Sequence, residues 1–183
     1  EETTIVKAVA VHSDGSASPT VTSEYIKIPE GRSIQLISKY ENQYAAGGEN
    51  ALIDFQRGTN NFRTGDWQGY WDQDFEAIVD LGSVKTVNKI SASFLQDIKS
   101  WVWYPKLVEY SISPDGQHWT IVDDLITAFP QDKYGAFTAE YPVEKTMSAR
   151  FIKVRAKHVD KCPHWHLGAG NPTWIMIDEI VIE

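Results

Sequence analysis

The sequence predicts an antiparallel all-β domain closed as a sandwich or barrel. Three observations carry that prediction. Short runs alternate apolar and polar residues with a period of two, as in "FEAIVDL" and "VEYSI". Turn-forming residues separate the runs, as in "SPDGQHW". No stretch keeps a 3.6-residue apolar period over a helical length.

The elements follow in chain order. "TIVKAVAVHSDGSASPTVTSEYIKI" reads as two strands around a Ser/Gly/Pro-rich turn. A lone hairpin is marginal in water, so residues 1–30 must dock on the main domain or belong to a neighbouring one. Phe75, Ala77, Val79 and Leu81 share one face, and Gly82 ends that run. Ile90, Ala92 and Phe94 form the next run. Val108, Tyr110 and Ile112 lead into the Pro-Asp-Gly turn of a hairpin. Ile152, Val154 and Ala156 repeat the pattern. The last run, "WIMIDEIVIE", changes phase: Ile175 and Ile177 share one parity, Ile180 and Ile182 the other. Both pairs face the core only if one residue is inserted between them, which predicts a β-bulge at Asp178-Glu179.

Composition narrows the function classes. The 183 residues suit one domain or a domain plus a fragment, and 42% hydrophobic content with 7 Trp, 8 Tyr and 7 Phe supports a sizeable core. A net charge of −8 disfavours nucleic acid and anionic membrane surfaces as partners. No apolar run has membrane-spanning length. "EETTIVKAVAV" has no basic region of a signal peptide, and the abrupt start reads as a piece of something longer. Cys162 is the only cysteine, so no internal disulfide forms.

Four stretches carry a family resemblance: "YAAGGENALIDFQRGTNNFRTGDWQGYW", "FEAIVDLGSVKTVNKI", "FLQDIKSWVWYPKLVEYSISPDGQHW" and "KCPHWHLGAGNPTWIMIDEI". In this order they resemble a coagulation-factor type C (discoidin) domain, the fold shared with family 32 carbohydrate-binding modules. They are most similar to modules at the C-terminal end of chitobiases and β-hexosaminidases of glycoside hydrolase family 20 from gut Bacteroidetes. The resemblance implies an eight-stranded jelly-roll sandwich over residues 31–183, secreted or facing the periplasm. It implies that residues 1–30 are the last strands of a preceding immunoglobulin-like domain or a linker hairpin. The implied partners are a glycan and the catalytic domain of the parent enzyme.

The resemblance also implies a structural calcium site. Its offsets fall on Ala51, Asp54, Gln56, Thr59, Asp178 and Glu179, with Ala51 and Asp178 giving carbonyls. Calcium takes about six to eight oxygen ligands, which this set can fill. Phe55 and Gln56 depart from the pattern, where family loops often have glycine and then Asp or Asn, which leaves Gln56 only its carbonyl to contribute. The plainer reading is that Asp54 and Thr59 only brace their loop. An adjacent Asp-Glu pair also serves catalysis in family 20, but on a (β/α)8 barrel this chain is too short to build.

The aromatic stretch "SWVWYP" points to carbohydrate. An indole covers the C–H face of a sugar, and flanking polar groups fix its hydroxyls. Trp101, Trp103 and Tyr104 are the expected platform, with His164, Trp165 and His166 as a neighbouring wall and Arg63, Asp66, Gln96 and Asp97 as further polar candidates. Trp119 and Trp174 read as core, and Trp67 and Trp71 stay open between core edge and surface. Cys162, His164 and His166 match no common zinc spacing. No nucleophile motif or phosphate loop appears. The expected function is a non-catalytic glycan-binding module. The alternatives are a structural module packed on a catalytic domain and a protein- or lipid-binding discoidin domain.

Overall fold

A computed structural model describes residues 3–183, apart from the Glu24 side chain. Nine strands are present in the described chain: β1 (Thr4–Ala8), β2 (Val21–Tyr25), β3 (Ser33–Leu36), β4 (Gln68–Trp71), β5 (Phe75–Asp97), β6 (Leu107–Ser113), β7 (Thr120–Ile126), β8 (Ala136–Lys157) and β9 (Trp174–Ile182). The only helical segments described are 3-10 turns of three to five residues. All strand pairs are antiparallel.

Seven strands form one hydrogen-bonded sheet that folds over itself. The first half of β5 pairs with β3 and with the end of β8, which continues to β6 and β7. The second half of β5 pairs with the start of β8 and with β9, which continues to β4. The two halves are thus two layers of an antiparallel jelly-roll sandwich, joined by the long strands β5 and β8. The crossing point is the register shift between Asp80 and Lys85, where Gly82 has φ 80°. That shift explains the separate alternating runs of the sequence: residues 75–81 and 90–94 are two halves of one strand. Seven sheet strands are present where eight were expected, because β5 and β8 each serve both layers.

One cluster fills the space between the layers. Phe75, Val79 and Val154 come from one layer and Ile90, Phe94 and Tyr141 from the other. The bulge in β9 is present: Ala92 faces Ile180 but Phe94 faces Ile177, so β9 spends one extra residue. As a result Ile175, Ile177, Ile180 and Ile182 all enter the same core.

β1 and β2 form their own two-stranded sheet. Every residue of β1 is exposed. Its turn is braced by Asp14, whose carboxylate accepts from the Ser16 N–H and hydroxyl. A hairpin that buries so little adds little stability to the sandwich. Deleting residues 1–30 is expected to leave a folded domain whose Tm changes by less than about 2 °C. A circular dichroism melt tests this, and an insoluble product would make the hairpin part of the sandwich.

Candidate functional site

The loop after the turn Glu49–Ile53 is held from below. Leu52 and Ile53 are fully buried in the main core and fix where Asp54 begins. Phe55 follows with φ 66°, a left-handed conformation that costs a non-glycine residue about 1–2 kcal/mol. Its N–H donates to Glu179 Oε2 at 2.8 Å. The Gln56 N–H donates to Asp54 Oδ1 and the Gly58 N–H to Asp178 Oδ2, both at 2.8 Å. The Trp67 indole N–H donates to the Thr59 carbonyl at 2.9 Å. The β9 bulge therefore sends both Asp178 and Glu179 to the same loop.

The charges there are incompletely balanced. Glu179 is fully buried, and its Oε1 has no hydrogen-bond partner among the described residues. Burial, with the nearby Asp54 and Asp178 charges, pushes its carboxyl up to about 8 against the Phe55 N–H and Arg57. Burial is also the main reason Asp54 is raised. Arg32 bonds the Ile182 carbonyl at 3.2 Å and its charge reaches Glu179, yet Oε1 stays unpartnered. The orphaned Glu179 oxygen, beside a second raised acid, is of the kind a hard cation takes. Any such ion would depend on carbonyl oxygens, because no group of three metal-holding side chains is present among the described residues. Asp178 could contribute only its carbonyl, because Ser93, Gly58 and Arg57 already occupy its carboxylate.

A cleft of about 240 Å³ adjoins this loop on the outer sheet face, lined by Arg57, Ser93, Glu140 and Asp178. Its charged groups are spent on one another, with Arg57 donating to Ser93 and Glu140 at 2.7 and 2.6 Å.

A larger cleft, about 640 Å³, opens at the loop end of the sandwich. Tyr44, Phe62, Arg63, Asp97, Lys99, Ser100 and Trp101 line it. Trp101 ends a 3-10 turn with φ 63°, and its N–H bonds the Ile98 carbonyl. A tryptophan in this region is strained, and such residues concentrate at functional loops. Its carbonyl takes the Trp174 N–H at 2.8 Å, tying the loop to the start of β9. Half-buried rings continue from it: Trp71 stacks on Trp101 at 6.2 Å, Trp174 lies 4.7 Å from Trp71, and Tyr44 meets Trp174 edge-on at 5.2 Å. Arg63 lies over the Phe62 ring at 4.3 Å. Asp97 accepts from the Ser100 hydroxyl. The cleft thus offers partly exposed aromatic surface beside two cationic donors, the Tyr44 and Ser100 hydroxyls and one carboxylate.

Residues 33–180 match the F5/8 type C domain. The chain belongs to that family. No curated protein matches the chain. Solved structures resemble this F5/8 type C domain at low identity, which speaks to fold alone. The family 32 module from Clostridium perfringens NanJ, in complex with galactose, is 17% identical with TM-score 0.52, covering 85% of this chain and 97% of its own. The C. perfringens module CpGH89CBM32-5, in complex with GalNAc-β-1,3-galactose, is 14% identical with TM-score 0.52 and the same coverage. Chitosan-binding module 1 of a chitosanase/glucanase from Paenibacillus sp. IK-5 is 15% identical with TM-score 0.51, covering 85% and 97%.

The F5/8 type C domain brings Arg63 and Trp101 into one cleft but separates the other expected platform residues. Trp103 and Tyr104 are both 1% exposed and cannot be sugar platforms. Trp103 packs with Ile98, Val159 and Cys162, and its indole N–H is spent on the Gln131 carbonyl. Tyr104 lies in the central core. His166 is also buried: its Nδ1 accepts from the Gly168 N–H, and its ring meets Trp103. It shapes the loop from a buried position. Trp165 is exposed at 43% and His164 is exposed. Their loop touches the cleft through Gly168, where a Cβ would fall 2.6 Å from the Trp101 indole nitrogen. Trp119, expected in the core, is half-buried under the Lys153 ammonium, and Trp174 is half-buried in the aromatic strip. Ala51 lies within the turn Glu49–Ile53, and Asp54, Gln56 and Thr59 follow it along the loop whose Phe55 N–H meets Glu179, with the Thr59 hydroxyl accepting from the Asn61 N–H. Tyr44, Phe62, Lys99 and Ser100 were missed, since nothing local in their stretches places them at one end of the fold.

Proposed function

We propose that this domain is a non-catalytic carbohydrate-binding module of a secreted glycan-degrading enzyme. The carrying observation is the cleft at the loop end, with strained Trp101 at its edge and unspent polar groups around it. Sugar-complexed neighbours of the same fold support the reading. The glycan class is N-acetylhexosamine- or galactose-containing, and the parent enzyme is a chitobiase or β-hexosaminidase acting outside the cytoplasm. Affinity for one sugar is weak, about 0.1 mM to several mM, because little area is buried. Tethering to an enzyme raises the effective concentration.

Calcium has a structural role in this reading. Asp54 and Glu179 supply carboxylates, Ala51 and Asp178 carbonyls, and Gln56 and Thr59 further oxygens. The unpartnered Glu179 Oε1 supports it. Residues 1–30 are terminal strands of a preceding immunoglobulin-like domain or a linker hairpin, a reading supported by the separate sheet of β1 and β2. Exposed Tyr134, Trp165 and Leu167 favour a second reading, in which this end docks on the catalytic domain.

NMR shift mapping with N-acetylglucosamine, N-acetylgalactosamine and galactose tests the site. Shifts should centre on Trp101, Arg63 and Lys99. Trp101→Ala removes a contact of about 1–3 kcal/mol, so millimolar binding should become undetectable. Shifts centred elsewhere, or unchanged binding by the variant, would remove the cleft from consideration.

A further inference from the structure

The chain has five arginines, and their partners differ. Arg57, Arg150 and Arg155 pair with carboxylates. Arg32 caps the Ile182 carbonyl. Arg63 alone has no hydrogen-bond acceptor for its side chain among the described residues, although the chain carries 25 acidic residues. Its guanidinium is not loose, because it lies over the Phe62 ring. Lys99, on the same cleft, also lacks an ion-pair partner among the described residues. The one acid of the cleft, Asp97, is engaged by the Ser100 hydroxyl. A molecule of net charge −8 therefore presents a local excess of positive charge beside its partly exposed aromatic strip.

We propose that this cleft selects an anionic glycan, in which a carboxylate or sulfate on the sugar meets Arg63 and Lys99 while the ring rests against Trp101. The inference rests on the carbohydrate-binding reading and narrows its ligand class. The planar guanidinium offers five N–H donors in a fork that fits two oxygens of a carboxylate or sulfate at once. Lys99 adds a point charge without directional demand. A neutral sugar would use the same donors singly, for hydroxyls already well hydrated, and gain less. The flanking phenyl ring restricts the guanidinium before binding, which lowers the ordering cost.

Isothermal titration of the whole chain with three probes of matched size separates the outcomes: N-acetyllactosamine, its 6-sulfated form and a hexuronic acid disaccharide. At least one acidic probe should bind about tenfold more tightly than the neutral one. That preference should shrink as salt rises from 50 to 500 mM, since exposed charge pairs are screened. Sulfate and carboxylate sources are told apart by which probe gains. Arg63→Ala should bring the acidic-to-neutral affinity ratio near one, and Arg63→Lys should restore only part of it. Lys99→Ala, at an exposed position, should lower the ratio by a smaller factor. Equal affinity for neutral and acidic probes would overturn the inference and leave the carbohydrate reading standing. No binding of any probe would overturn both. A preference for acidic probes that survives Arg63→Ala would also overturn it.

Discussion

Gly58→Ala is expected to lower the Tm by about 6–12 °C, a large effect for a single methyl group on a loop. A Cβ at Gly58 would lie 2.2 Å from two atoms of the Trp67 indole. Trp67 is fully buried among Phe62, Leu95, Val102 and Met176, so it has nowhere to turn. The loop must lift instead. Lifting it strains two contacts at once: the Gly58 N–H to Asp178 and the Trp67 N–H to the Thr59 carbonyl. Asp178 is buried, and an unpaired buried acceptor costs about 1–3 kcal/mol. Overpacking costs a similar amount, which gives about 3 kcal/mol in total. Gly65→Ala is the control. Gly65 has φ 100° but open space around its Cβ direction, so it pays backbone strain alone, about 1–2 kcal/mol. If the two variants melt together, the close approach of loop and indole is not what Gly58 provides. Calcium, where it binds, should recover part of the Gly58→Ala loss, because the lifted loop carries Asp54 and Thr59.

The fold was legible because alternation records burial one residue at a time. Phe75 to Leu81, Val108 to Ile112 and Ile152 to Ala156 fall on the core face the period of two assigns them. The phase change at Asp178-Glu179 was informative for the same reason: four isoleucines reach one core only through an inserted residue. The aromatic residues were less legible. Trp101 and Trp103 have the same parity, yet one edges a cleft and the other is buried. The difference comes from what lies across from each: the Gln131 carbonyl and Val159 cover Trp103, while Trp101 turns left-handed at the end of a short helix. Those neighbours are tens of residues away, so no local pattern encodes them. The cleft was half-found for a similar reason. Arg63 and Trp101 could be named from residue type, but Tyr44, Lys99 and Ser100 join them only through the closure of the sandwich. That the Arg63 side chain has no hydrogen-bond acceptor among the described residues is likewise invisible to composition, where acids outnumber bases.

In excess EDTA the domain is expected to lose stability as pH rises from about 4.5 to 8, and calcium should reverse that trend. Glu179 has its carboxyl pushed up to about 8 by burial and by its acidic neighbours, against 4.5 when unperturbed. Between those values the native state holds a proton that the unfolded state has released. Stability then falls with pH, because the unfolded state binds fewer protons. The contribution is complete below about pH 4.5 and gone above about pH 8, and across that window it amounts to a few kcal/mol. A bound cation changes the sign of the problem. It favours the ionised Asp54 and Glu179 in the native state and has little to hold in the unfolded chain. At 100 times its dissociation constant it adds about 2.7 kcal/mol, or about 5–10 °C in Tm. The calcium-induced shift should therefore be small at pH 5, where protons compete for Glu179, and large at pH 8. Glu179→Gln separates this from general salt effects. The amide cannot ionise, so without metal the variant should be more stable than the natural chain at pH 8. It should also lose the response to calcium. Melting curves at pH 5, 6.5 and 8, with EDTA and with calcium, read all of this. A calcium shift that is absent at pH 8, or equal at all three values, or retained by Glu179→Gln, would show that Glu179 holds no cation and that its orphaned oxygen has another cause.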